Sequence, residues 1–193
     1  MKKLFIFVPM ILLLLTSCSL GDKVSGVFQN SRTRMLDAMT SREEKVFREL
    51  FDALFTAMDN GDKDGIKDLF SIVAINEIPD LDSKIEEFLN VYNGPMEIEN
   101  IKYSADTSDD NIDHGKKRTR LRNSGNTIIA GGIRYHISMV LYSQDDFNKD
   151  NEGVYILEFS TDEARNSKNF TPHTSYGAGP GFYYQDSAEI RDE

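Results

Sequence analysis

From Ser41 to Met58 the apolar residues fall at helical spacing. Val46, Phe47, Leu50, Phe51, Leu54, Phe55 and Met58 recur every three or four positions and lay one broad stripe along a helix. Ser41-Arg42-Glu43-Glu44 forms a capping box at its start, and Asn60-Gly61 stops it. Asp62 is placed to cap a second, short helix carrying Ile66, Leu69 and Phe70. A third begins near Asp80 or Asp82, shows Ile85, Phe88, Leu89 and Tyr92, and ends at Gly94-Pro95. After Pro95 the period changes from helical to alternating. Residues 96–104, 116–123, 126–143 and 153–160 are expected as four strands, with Gly131-Gly132 marking a bulge or sharp bend in the third. Acidic loops are expected at 106–113 and 145–152, and the chain from Asn166 onward has loop composition. Helices first and a sheet afterwards predict an α+β fold, with N-terminal helices packed on a strongly bent, mostly antiparallel four-stranded sheet.

A different pattern occupies the N-terminus. Lys2 and Lys3 precede an apolar run from Leu4 to Leu15, which falls short of the ~20 residues a spanning helix needs. The layout is that of a secretory signal peptide. Leu15-Thr16-Ser17-Cys18 follows, and it resembles the lipobox of bacterial lipoproteins. That resemblance implies S-diacylglyceryl attachment at Cys18, with N-acylation as an option, and makes Cys18 the first residue of the mature chain. Two buried acyl chains at about 0.8 kcal/mol per CH₂ give stable anchoring. The expected organisation is a signal peptide over 1–17, a lipidated Cys and tether over 18–40, one domain over 41–185, and a frayed acidic tail over 186–193. The expected location is the cell membrane, with the domain on its extracytoplasmic face.

Charge narrows the choice of partners. The 193 residues carry 22 Lys and Arg against 32 Asp and Glu, for a formal net charge of −10. Removing 1–17 takes two lysines and leaves 20 basic residues against 32 acidic ones. Nucleic acid is not expected as a partner, because phosphate neutralisation needs a basic surplus. With one Cys there is no intramolecular disulfide. The three oxygen-rich loops around Asp62, Asp109 and Asp146 miss the glutamate that closes a calcium loop, having Ser71, Arg120 and Leu157 at that position. His114, His136 and His173 lie far apart. No metal, no cofactor and no catalytic constellation is expected. The basic exceptions are Arg118, Arg120 and Arg122, which share one strand face; they are expected as a charged outer face or protected edge strand, with a local anion site as the alternative.

The stretch Ala57-Met58-Asp59-Asn60-Gly61-Asp62 with Leu69-Phe70-Ser71 resembles the opening of nuclear transport factor 2-like (cystatin-like cone) domains. Ile78-Pro79-Asp80-Leu81-Asp82, then Ile85, Phe88 and Asn93-Gly94-Pro95, resembles a narrower group of uncharacterised bacterial lipoproteins with that domain. The resemblance runs over roughly 41–160 and implies a cone-shaped sheet around a cavity. It carries over no catalytic residue.

On the long strand Ile133, Tyr135, Ile137, Met139 and Leu141 alternate with Arg134, His136, Ser138, Val140 and Tyr142. The apolar set is expected to line the interior, where Tyr135 supplies the one polar handle. The expected function is a non-catalytic binding or interaction domain for a protein or small-molecule partner. The alternative is a ketosteroid-isomerase or polyketide-cyclase type of enzyme acting on a small apolar molecule. A homodimer through the face of Arg134, His136 and Tyr142 is a further expectation.

Overall fold

The computed structural model describes residues 41–92, 94–175 and 177–186. Signal peptide, Cys18, tether and the tail from 187 lie outside the described residues. The first helix, α1 (Arg42–Asn60), forms where the apolar stripe predicts it and buries Phe47, Phe51 and Leu54 completely. It ends with the Gly61 N–H donating to the Met58 carbonyl and the Asp62 N–H to that of Ala57, a Schellman cap. Asp62 then accepts the Gly65 N–H at 2.9 Å and starts α2 (Lys63–Lys67). Ser71, which ends the calcium-like spacing, does a different job: its hydroxyl accepts the Ala74 N–H and starts α3 (Ile72–Glu77). Next comes α4 (Leu81–Val91), entered through Asp80 in a left-handed conformation.

Six strands follow: β1 (Met96–Asn100), β2 (Thr107–Asp113), β3 (Lys116–Ala130), β4 (Ile133–Asp145), β5 (Gly153–Thr161) and β6 (Gly181–Gln185). They form one sheet in the order β1-β3-β4-β5-β6, with β2 also paired to β3. Every pairing is antiparallel except β5 with β6, which is parallel. Between those two, the short helix α5 (Asp162–Arg165) and the segment up to 180 carry the chain back to the end where β5 began. One face of the sheet, with Leu121, Ile128, Tyr135, Ile137, Met139, Leu157, Phe159 and Phe182, packs on Phe47, Phe51, Leu54, Ile85 and Phe88 of the helices. The edge of β5 is joined to the helical layer where the Val154 N–H reaches Leu69 and its carbonyl accepts from Ser71. Only a glycine allows that approach: a Cβ on Gly153, at φ +125°, would lie 3.0 Å from the Ser71 nitrogen.

The fold therefore differs from the one expected. In place of a strongly bent, mostly antiparallel four-stranded cone under N-terminal helices, the domain is built on a six-stranded mixed sheet and is largely β-rich. Three physical facts account for the difference. Residues 107–113, read as an acidic loop, form β2 because β3 supplies counter-charges: Asp110 pairs with Lys117 at 2.8 Å and accepts the Thr119 hydroxyl at 2.7 Å. Gly131 and Gly132, at φ +57° and +80°, turn the chain between Ala130 and Ile133, so one expected strand is a hairpin. The Tyr183-Tyr184 stretch pairs along β5 as a sixth strand.

The tail of the expected 116–123 strand also runs on into the next, across an irregularity between Asn123 and Asn126. Both asparagines are fully buried. Asn123 donates to the carbonyls of Lys102 and Ser104, and Asn126 accepts the Lys102 N–H at 2.8 Å. They supply ladder partners where β1 has left β3 and β2 has not yet joined it.

Candidate functional site

The polar face of β4 carries the chemistry. Arg134 and His136 project from it, and Asp162, the first residue of α5, meets both. Thr161 fixes that position by capping α5, its hydroxyl accepting the Ala164 N–H at 3.1 Å. Asp162 Oδ1 lies 2.5 Å from His136 Nε2, and Asp162 Oδ2 accepts from Arg134 Nη1 at 3.2 Å. Arg134 Nη2 donates to Glu99 Oε1 at 2.5 Å. The result is a continuous chain, Glu99–Arg134–Asp162–His136. The hydrogen bond with His136 holds the Asp162 carboxyl below the usual aspartate range, with Arg134 adding to it. Arg134 does the same for Glu99.

This chain borders an open cleft of about 510 Å³ whose walls include Ile129, Ile133, Arg134, Asp162, Tyr184 and Asp186. Ile133, expected to line the interior, is 42% exposed at the hairpin end and belongs to the cleft wall. A second cavity of about 520 Å³ lies between the end of α1 and α4, where the Tyr92 hydroxyl donates to Asp59 at 3.2 Å. Burial, then the Asp59 charge, pushes that hydroxyl well above the ordinary tyrosine range.

Tyr135 occupies the core and is fully buried, with Phe88, Tyr92 and Tyr184 around its ring. Its hydroxyl has no hydrogen-bond partner among the described residues, and burial raises its pKa. The three arginines of β3 have separate surroundings. Arg118 donates from Nε to Asp145 at 2.7 Å and lies over the rings of Tyr142 and Phe147. Asp145 also accepts the N–H groups of Phe147 and Asn148 and the Asn151 amide; although burial works the other way, these bonds hold its carboxyl below the usual range. Arg118 thus braces the loop after β4. Arg120 stands opposite Tyr142 in the register, and Arg122 opposite Val140. The Arg122 Nε is buried with no hydrogen-bond partner among the described residues. The structure does not bring Tyr135 and these arginines into one site.

The alternation on β4 puts Arg134 and His136 on one face, but no spacing in the sequence brings Asp162 to them. Glu158 was equally hidden, since it sits in an apolar strand of the sequence. It is 2% exposed and its carboxylate accepts the His173 N–H at 2.9 Å. Burial raises its pKa, against the N–H bonds from His173 and Thr174.

Among the described residues, no group of three or more His, Cys, Asp and Glu side chains is placed to hold a metal ion. Nor is any helix there long and apolar enough to cross a membrane. No curated protein and no solved structure matches the chain. A family model described as "Domain of unknown function (DUF5104)" matches residues 53–163, which takes in Glu99, Arg134, His136 and Asp162 and leaves out β6. The match covers more than half of the 193 residues, and the chain belongs to this uncharacterised family, DUF5104.

Proposed function

We propose that the chain is a membrane-anchored lipoprotein, held by diacylglycerol on Cys18, whose extracytoplasmic domain binds a small molecule or a segment of a partner in the cleft beside Arg134. The anchoring part is supported by the basic start, the short apolar run and the single Cys placed after Leu15-Thr16-Ser17. The binding part is carried by the chain Glu99–Arg134–Asp162–His136 next to the apolar wall of Ile129 and Ile133. Mutually bonded charges keep their positions without a ligand, so a ligand meets a preorganised polar surface. Glu99 and Asp162 are held ionised and are poor proton donors near neutral pH.

One observation favours a second reading, an enzyme acting on a small molecule. His136 presents one ring nitrogen to Asp162, the arrangement in which a carboxylate orients a general base. Titration calorimetry with envelope-derived metabolites and peptides separates the two readings. Binding should be lost in Ile133→Asp, which puts a charge on the cleft wall. A ligand that binds equally well to wild type and Ile133→Asp would remove the cleft from the account. Turnover of the bound molecule, abolished in His136→Asn, would decide for the enzyme.

A further inference from the structure

The second cavity, between the end of α1 and α4, combines an apolar wall with one carboxylate. Met58, Leu89, Tyr92 and Pro95 form its apolar part, and among the described residues that line it only Asp59 carries a formal charge. Asp59 is exposed, so a ligand reaches it from solvent. Its side-chain partner among the described residues is the Tyr92 hydroxyl, 3.2 Å from Oδ1. That donor is neutral, so it orients the carboxylate and leaves its charge in place. Lys63, the first lysine after α1, is taken up by Glu86 at 3.4 Å. The 19-residue α1 ends here with no basic residue in its last turn, and the negative end of its dipole adds to Asp59.

A glycine keeps the space open. Gly94 does not have the positive φ that calls for glycine, so its bare backbone here serves room rather than conformation. A Cβ on it would lie 3.5 Å from Tyr92 Cε1 and 3.9 Å from Asp59 Oδ1. Any longer side chain at this position would start directly on the Tyr92–Asp59 pair.

We propose that this cavity binds a small primary amine, its ammonium on Asp59 Oδ2 and its hydrocarbon part against Met58, Leu89 and Pro95. The other ligand classes fit less well. A hard metal cation requires roughly six or more oxygen ligands, and one carboxylate beside hydrocarbon does not supply them. An anion is repelled, and a neutral apolar molecule would strip water from Asp59 without bringing a counter-charge. An exposed carboxylate attracts only modestly, so the expected affinity is on the order of millimolar. The cavity shares no lining residue with the cleft beside Arg134, and the two proposals stand independently.

Isopentylamine, isopentanol and isovalerate, which differ mainly in charge, test the site when titrated at pH 7 into the full chain with ¹³C-labelled methionine methyl groups. The Met58 resonance should shift saturably with the amine, far more weakly with the alcohol, and not with the carboxylate. Asp59→Asn keeps an oxygen for the Tyr92 hydroxyl but removes the charge, and should weaken the amine about tenfold, to the level of the alcohol. Gly94→Leu should abolish the shift by filling the cavity. Met139, fully buried in the sheet, reports on the fold, and its resonance should stay in place in both variants. A Met58 shift absent with the amine, or equal for amine and carboxylate, overturns the proposal, as does Asp59→Asn binding the amine as tightly as wild type. Should either variant displace the Met139 resonance, the order of the three probes on wild type decides alone.

Discussion

Asp145 and Glu158 are both buried carboxyl groups, and their pKa values are displaced in opposite directions, down for Asp145 and up for Glu158. The difference lies in the number of donors. Asp145 collects Arg118, Asn151 and two backbone N–H groups, which together outweigh its burial. Its folded-state pKa is depressed, so its contribution to stability is complete above the ordinary value of 3.8 and disappears as the pH falls through the lower, folded value. Asp145→Ala should cost about 3 kcal/mol at pH 7 by urea denaturation, because Arg118 and the loop N–H groups lose their acceptor together. The gap between variant and wild type should narrow only below pH 3.8. A variant within about 0.5 kcal/mol of wild type would show that solvent replaces those bonds without loss. In sequence Asp145 is one of several acids in a loop-like run, and nothing marks it as the buried one. Arg118 was legible as part of a basic face, though its partner was not.

At the scale of elements, the helices were legible and the sheet only in part. α1 and α4 carry long apolar stripes with punctuation at both ends, and periodicity is strongest in such segments. α3 has six residues and is separated from Phe70 only by its cap Ser71, too short for a stripe to show. β2 has no apolar alternation at all: its seven residues are exposed, and it exists through pairing with a basic neighbour. Gly131-Gly132 between alternating segments is itself a hairpin signal, yet a bulge satisfies the same residues locally. The turn makes a sharp forecast. A Cβ at Gly132 would meet nothing within 4 Å, so a substitution there costs only backbone strain at φ +80°. Gly132→Val should destabilise by about 1–2 kcal/mol, and Gly132→Asn by clearly less. Equal losses for the two in thermal or chemical denaturation would mean that the turn does not require a left-handed residue.

For the whole molecule, sequence and structure carry different halves of the account. The proposed N-terminal address rests on consecutive residues, Lys2-Lys3, an apolar run and Leu15-Thr16-Ser17-Cys18, and needs no fold to be read. The candidate site is the reverse: Glu99, Arg134, His136 and Asp162 come from two strands and a helix start, and only the register of β1, β3, β4 and β5 joins them. The proposed anchor and cleft meet in one requirement, that the domain works outside the cytoplasm while tethered. On that proposal, removal of 1–17 leaves 20 basic residues against 32 acidic ones, and such an acidic body would be repelled by an anionic membrane. The most direct test is mass spectrometry of the native N-terminal peptide. The account predicts a mature chain that begins at Cys18 and carries a diacylglyceryl group on its sulfur. A chain that begins anywhere else, or begins at Cys18 with a free thiol, would contradict it.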